Sequence, residues 1–580
     1  MPITAHRSTS VNPAHSHGGG VRGDAVPHRS AQFTGRFGRL FRDLPPADWP
    51  DAALRALGLA MTAAPETDPA DPTMPAAAPE TDEILQDDEE NSGIPAGYTY
   101  FGQFVDHDIT FDPASTLMKL NDPEALVDFR TPRLDLDSLY GRGPDDQPYL
   151  FVGKKFRLGR PLTEGVGSGP SHARGHAVNL RDLPRYEDVE DPSLPKRALI
   201  GDKRNDENVI VSQLQASFLQ FHNRLVDVHP ESTFAEIQQL VRWHYQWLVL
   251  NDFLVRICGR EIVDELLPHR LERKPAEQKR PRLSYYHWRN DPFMPIEFSV
   301  AAYRFGHSMV RPVYRLNTVL DGGADPLAAT EHEREIGLAG RFFIFAGVTT
   351  RGLDGFDAFP SPWAVDWSLF FDIPGIATVG GTQRVQPSYK IDTVLTDPLG
   401  FLPEFSTRRP PAAAPMTVER LHAEPVDAQA DPANLAVRNL LRGKNLRLPS
   451  GQAVADALGI PRIPDDQLVV GKATLGASSD DPVLLTDLDP SFAGNAPLWY
   501  YVLAEAQVDW LKRAKAAGSR RDAEPVRLGP VGRRIVAETL VGLVAGDGMS
   551  YLNQSPNFEP VVDGRRLDTV GALLAFAVRP

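Results

Sequence analysis

Proline occupies 52 of the 580 positions, nearly double its common share. Each proline fixes φ and removes a backbone donor, so the chain is expected to consist of elements that stop often and are joined by long irregular connections. Between prolines, apolar residues recur at helical spacing. Leu214, Phe218, Phe221 and Leu225 form one such series, and Ile237, Leu240, Val241, His244, Trp247 and Leu248 a second. Ile535, Leu540, Leu543 and Val544 form a third. Strand-like alternation is scarce, and no internal repeat is visible. The expected fold is mainly α with very little strand, interrupted by Pro-rich excursions such as residues 403–432.

Residues 1–30, rich in Gly, His, Ser and Arg without periodicity, read as a disordered tail. They include the triplet Arg22-Gly23-Asp24, which arises easily by chance. Residues 31–93 read as short helical patterns, FGRLF and DAALRALGLAM, followed by an Ala-, Pro- and acid-rich linker or wrapping arm. Length alone suggests several units, but residues 94–580 read as one continuous body. Hydrophobic residues make up 42% of the chain and charged residues 24%, the balance of an ordinary globular protein.

A net charge of -15 argues against general binding to nucleic acid or anionic membranes. The single cysteine, Cys258, excludes an internal disulfide framework and a cysteine-ligated cluster. No apolar run suits a Sec-type leader or a transmembrane helix, so cytoplasmic residence is the default expectation, with signal-less export left open. Oligomeric state is not legible.

Four segments concentrate chemistry. In GQFVDHDITFD, Gln103 and His107 are four apart and share a helix face, with Asp106 beside them and Asp108 about a quarter turn away. The two carboxylates diverge, so each can serve a different partner. In TPRLDLDSLYG, Thr131, Arg133, Asp135 and Asp137 alternate with Pro132, Leu134 and Leu136, so an extended loop would put their oxygens on one side. Hydroxyl, carbonyl and carboxylate oxygens, with Asp108 added from elsewhere, suit Ca²⁺, which takes about 6–8 oxygens. In GDKRNDENVIVSQLQ, an acid-rich turn leads into a helix whose first turn carries negative charge, and Arg204 and Glu207 can project together. In SVAAYRFGHSMVRP, His307 lies in an apolar helix with Arg304 one turn earlier, and Gly306 leaves room for something flat. Each segment alone also reads as ordinary structure: a solvated helix end, a surface turn, a capped helix, a core histidine.

Together and in this order, GQFVDHD, TPRLDLDSLYG, GDKRNDEN and AYRFGHS resemble the distal helix, calcium loop, distal arginine segment and proximal helix of the animal-type haem peroxidases, the peroxidase–cyclooxygenase superfamily. NLLRGKNLRLPSG resembles the segment that supplies an asparagine behind the proximal histidine, and PLWYYVLAEA and GRRIVAETLVGLVAGD resemble late helices of bacterial members. The resemblance implies a single large haem-peroxidase helical domain. It implies that His307 binds the iron of a haem b derivative and that Asn439 accepts the other ring N–H. It implies His107 as distal acid–base and Arg204 as the stabiliser of developing charge, with Gln103 holding distal water or a small anion.

Asp106 and Glu207 would form ester links to haem methyl groups, and Arg304 and Arg442 would meet haem propionates. Asp108, Thr131, Arg133, Asp135 and Asp137 would hold calcium. The implied reaction uses hydrogen peroxide to oxidise halides, thiocyanate or small aromatic donors through a ferryl intermediate. Asn208 stands where some members carry a methionine linked to haem through sulfur, so that link cannot form, and KNLRLP departs from the R-D-H-G-L-P that commonly follows the asparagine. Two other functions share the scaffold. A fatty-acid dioxygenase or cyclooxygenase needs a radical-forming tyrosine three residues before the proximal histidine, where this chain has Arg304. A non-enzymatic calcium-binding adhesion module would rest on the Arg22-Gly23-Asp24 triplet. His222 and His244 lie in amphipathic patterns and read as structural.

Overall fold

The computed structural model describes residues 35–63, 91–111, 127–128, 130–162, 179–187, 196–268, 280–288, 291–317, 341–344, 363–373, 385–402, 433–474, 482–518 and 523–579. The expected tail with its Arg-Gly-Asp triplet, most of the Ala/Pro linker and the Pro-rich stretch 403–432 lie outside them. Within the described residues the fold is helix-rich with only small sheets, the mainly α architecture expected.

The longer helices are α1 Asp51–Ala60, α2 Gly97–Ile109, α3 Val209–Val228, α4 Phe234–Leu248, α5 Leu435–Asn445, α6 Leu498–Ala517 and α7 Pro530–Gly546, and the three apolar series become α3, α4 and α7. Leu214, Phe218, Phe221 and Leu225 on α3 are fully buried, as are Val241, His244 and Leu248 on α4. Local chemistry sets the ends. Asn208 caps α3 by accepting from the N–H groups of Ile210 and Val211, and Thr233 and Glu236 form a reciprocal capping box on α4. Pro530 opens α7 where its missing N–H costs nothing, and Gly518, with φ +65°, closes α6. No helix among the described residues is long and apolar enough to cross a membrane.

α2 packs against α3, α3 against α4, α6 against α5 and α7, and α1 against α5. One contiguous core joins residues of α1 (Leu54, Leu57) with Phe104, Phe218, Tyr500 and Val536. Contact with α5 is close enough that a side chain at Gly58 would strike Val437 at 2.6 Å.

Four local expectations are corrected. FGRLF is not helical: β1, Gly35–Gly38, pairs antiparallel with Val127–Asp128 and parallel with Met294–Pro295. Gly38 lets the strand lie close to its neighbours, since a Cβ there would be 2.5 Å from the Phe293 ring. The loop from Thr131 is not extended, because Leu134 and Leu136 adopt left-handed φ of 35° and 57°. Both leucines are completely buried, so core packing holds a backbone that most L residues avoid. The acids of GDKRNDEN end before the cap of α3, with Asp206 in a 3₁₀ turn, Lys203–Asp206, and Asp202 and Glu207 flanking it, so the first turn of α3 carries none. Finally, the segment bearing His307 is a π turn, Glu297–Ala301, followed by a 3₁₀ helix, Ala302–His307. The backbone breaks between them at Ala301 (φ -126°, ψ -78°), and Arg304 Nε donates across the break to the Ser299 carbonyl at 3.1 Å.

Candidate active site

α2 is buried almost all round, yet Gly102, Gln103, Asp106 and Thr110 are only half-buried. Gly102, Gln103 and Asp106 lie at i, i+1 and i+4 on one side of the helix, with Thr110 just beyond its end. The 3₁₀ segment opposite shows the same pattern: Arg304, Gly306 and His307 are half-buried among buried neighbours. A Cβ placed on Gly306 would meet nothing within 4 Å. Tyr303 ties the two elements together by donating to the Gly102 carbonyl at 3.2 Å.

Asp106 reports on how close the two sides lie. Burial raises its carboxyl, while Arg204 from one side and Arg304 from the other pull it down. Both histidines are held neutral. Burial, then the nearby Arg204, pushes His107 down to about 3, and burial, then Arg304, pushes His307 to about 3.

The 203–208 turn grips the end of α2. His107 Nδ1–H donates to Asn205 Oδ1 at 2.8 Å, and Arg204 Nη2 donates to the His107 main-chain carbonyl at 2.9 Å. Asn208 Nδ2 reaches Gln103 Oε1 at 3.4 Å. Arg204 lies 4.5 Å over the Phe111 ring and chelates Asp202 through Nε (3.1 Å) and Nη2 (2.8 Å). Burial would raise the Asp202 carboxyl, but Arg204 and Arg130 hold it well below the usual range. Glu207 stands exposed at the end of the turn.

On the other side, α5 brings Asn439 to His307 with Nδ2 at 3.0 Å from Nδ1. The resemblance implies that Asn439 accepts the ring N–H, whereas in this structure its amide stands the other way round. Arg304 Nη1 donates to Asn439 Oδ1 at 2.5 Å, and a guanidinium can only donate, so the amide turns its NH₂ to the histidine. Burial, then Arg442, pushes Arg304 down to about 10, with Arg438 acting in the same direction. Three cations from Arg304, Arg438 and Arg442 therefore crowd one wall, and Asp106 is the acid among the groups that act on Arg304.

Behind α2, Asp108, Asp135 and Asp137 each present a carboxylate oxygen within 4.8 Å of the others. Thr131 Oγ1 donates to Asp135 Oδ2 at 2.8 Å. The left-handed leucines turn these side chains inward, and Asp108, next to His107, accepts from Leu136 N at 3.1 Å and Ser138 Oγ at 3.1 Å. The Arg133 side chain leaves for Asp291 (2.9 Å), so only its main chain is placed to contribute. Burial and mutual repulsion raise Asp108 well above the carboxylate range and Asp137 to about 7. Of this loop's neighbours, Arg130 joins Asp137 (3.4 Å) to Asp202.

Asn205, Asp202, Arg130 and Gln215 were not picked out by sequence reasoning. Asn205 and Asp202 sit inside GDKRNDEN, and their polar side chains flanking Arg204 were the available signal. Gln215 and Arg130 are joined to the site only by the fold. His222 and His244 lie in the core: His222 bonds Tyr140 Oη (3.0 Å) and the Lys154 carbonyl (2.9 Å), and His244 Nδ1 bonds the Leu240 carbonyl (2.8 Å).

Residues 121–343 match the family model described as animal haem peroxidase. That span holds Thr131–Asp137, Arg204 and His307, and stops short of His107 and Asn439. A "Peroxidase-like protein" of Margaritifera margaritifera is 27% identical over 263 residues, 37% of this chain. The match covers 32% of that relative's length, so the chain spans about a third of the curated relative. Among solved structures, Peroxidase A from Dictyostelium discoideum aligns over 97% of this chain and 96% of its own, with a TM-score of 0.51 and 14% identity, which is a likeness of fold. The fatty acid alpha-dioxygenase of Arabidopsis thaliana aligns over 92% and 76%, with a TM-score of 0.49 and 12% identity. The family match thus covers residues 121–343, and the likeness of fold to a peroxidase extends over nearly the whole chain.

Proposed function

We propose that this chain is a haem peroxidase that reduces hydrogen peroxide and oxidises a small donor, a halide, thiocyanate or an aromatic. The observation that carries the reading is that Asp106 feels both Arg204 and Arg304, while open space lies at Gly306, two residues from Arg304 and next to His307. A planar group with anionic edges fits that slot. Open space lies at Gly306, the neutral imidazole of His307 is the next side chain, and a wall of arginines suits propionates. His307 would hold the iron through Nε2 once the Asn439 amide turns to accept the ring N–H, with Arg304 and Arg442 on the propionates. When bound, haem would supply the redox chemistry that cleaves the oxygen–oxygen bond of peroxide.

The chain's own residues would handle protons and charge. His107 carries its proton on Nδ1, which leaves Nε2 as an unprotonated base. Nε2 would take a proton from the near oxygen of peroxide and return it to the departing one, which leaves as water. Arg204 would stabilise the negative charge that develops on that oxygen, and its pairing with Asp202 limits how much. Gln103, braced by Asn208, would hold distal water or a small anion. Asp106 and Glu207 would carry the ester links.

Asp108, Asp135, Asp137, Thr131 Oγ1 and the Arg133 carbonyl form a hard oxygen set that fits Ca²⁺, since buried carboxylates so close together must otherwise take up protons. Because Asp108 adjoins His107, the ion would help set the distal helix. The dioxygenase reading is disfavoured by Tyr303, whose hydroxyl is engaged with Gly102, and by Arg304 at the position that a radical tyrosine requires.

An optical spectrum of the purified protein before and after peroxide, followed by acid–acetone extraction, tests the reading. A ferric haem band that moves with peroxide is expected, with haem retained by the polypeptide. A haem-binding protein inert to peroxide would defeat it.

A further inference from the structure

We infer that Asn205 is a positioning residue that fixes the tautomer of His107, and that Gln215 sets the direction in which Asn205 points. The inference rests on the peroxidase reading for its consequence, and on geometry alone for the tautomer. Asn205 is fully buried, one residue from Arg204, and its two amide ends are both committed. Nδ2 donates to Gln215 Oε1 at 2.9 Å, and Oδ1 accepts from His107 Nδ1 at 2.8 Å. An amide has a donor end and an acceptor end, so an acceptor at one determines what the other can offer. With Gln215 Oε1 taking the NH₂, the carbonyl must face the imidazole, and the ring proton is held at Nδ1.

A proton transferred between two peroxide oxygens needs a nitrogen that accepts first, and the Nδ1–H tautomer leaves Nε2 in that state. The other tautomer would offer peroxide a donor where a base is needed. Residues 204 and 205 thus act on one histidine at two points: Arg204 binds its carbonyl and Asn205 its ring. Gln215 is also fully buried, on the first turns of α3, and its Nε2 has no partner among the described residues. An Asp at 205 would let Gln215 turn and use that group, so Asn205→Asp keeps an acceptor for His107.

The full-length, haem-loaded protein in its ferrous carbon monoxide form, ¹⁵N-labelled at histidine, reports the tautomer, with His107 identified by the loss of its signal in His107→Gln. The expected result is an Nδ1–H ring in the wild type and in Asn205→Asp, and a mixture in Asn205→Leu. Haem content should be the same in all three. The rate at which peroxide moves the haem band should fall about tenfold or more in Asn205→Leu, a part of the 10²–10⁴-fold typical of acid–base groups, and stay within about threefold in Asn205→Asp. Gln215→Leu, in case the first variant fails to fold, should give a smaller loss of the same kind. An Nε2–H ring in the wild type, or equal losses in the Leu and Asp variants, would overturn the inference. A wild type with the Nδ1–H ring but no response to peroxide would instead defeat the functional reading and leave the tautomer assignment standing.

Discussion

Each of the two site histidines faces an asparagine, and the two asparagines face them with opposite ends. At His107 the partner is an oxygen, Asn205 Oδ1, and at His307 it is an NH₂, Asn439 Nδ2. The residue behind each asparagine makes the difference. Gln215 presents an acceptor and draws the amide NH₂ to itself, whereas Arg304 can only donate and draws the carbonyl. The same side chain therefore prepares one imidazole to act as a base at Nε2 and leaves the other with its Nδ1 lone pair engaged. The polarity that each histidine meets is set by the side chain behind its asparagine.

The harshest way to break this comparison is to remove each ring in turn. His307→Ala should lose haem altogether, while His107→Ala should keep haem and lose its response to peroxide; absorbance of the purified variants reads both. Equal loss of haem in the two variants would mean that the sides are not distinct. Arg204→Ala should retain haem and slow the peroxide step by about a hundredfold. That is the low end for removing one charge-stabilising donor, because Asp202 already neutralises part of the guanidinium. Stopped-flow absorbance checks this, and an unchanged rate would remove Arg204 from the mechanism.

A third histidine sharpens the comparison, since His222 has both nitrogens satisfied and lies in the core. Burial lowers it to about 4, with the Lys154 carbonyl opposing. The folded value lies below the unfolded one of about 6.5, so the unfolded chain takes up the proton first. The stabilisation is complete above about pH 6.5 and is lost as pH falls from there towards 4. By pH 5 the cost is about 2 kcal/mol, or roughly 30-fold in the folding equilibrium. Denaturant melts at pH 7 and pH 5 should show it, and His222→Phe should flatten the dependence. An equally steep loss in that variant would assign the acid sensitivity elsewhere.

What was legible in the sequence follows from distance along the chain. Apolar residues three and four apart marked α3, α4 and α7, because a helix is satisfied by its own neighbours. The four motif segments were legible for a similar reason, as each carries its reactive groups within a few positions. Pairings between distant segments were not. β1 is a strand only because residues 127–128 and 294–295 reach it, and alternation in TPRLDLD suggested an extended loop until burial of Leu134 and Leu136 forced the backbone left-handed. The direction in which the Asn439 amide stands in this structure was not legible, because the deciding contact, Arg304 Nη1, comes from 135 residues away.

The mildest test replaces each asparagine by aspartate, which has acceptors only. At position 205 an acceptor already faces the ring, so Asn205→Asp should leave the distal tautomer unchanged. At position 439 the NH₂ disappears, and a carboxylate can accept from Arg304 and from His307 Nδ1–H together. The proximal ring would then gain anionic character, which favours ferric over ferrous iron. Asn439→Asp should lower the haem midpoint potential by about 60 mV, a tenfold change in a one-electron equilibrium, whereas Asn205→Asp should shift it by much less. Spectroelectrochemical titration reads both. Equal shifts would mean that the iron does not distinguish the ring beside residue 439 from the ring beside residue 205. A shift at 205 alone would reverse the proximal and distal assignments of the two rings, since the carboxylate acts on the iron through the ring that holds it.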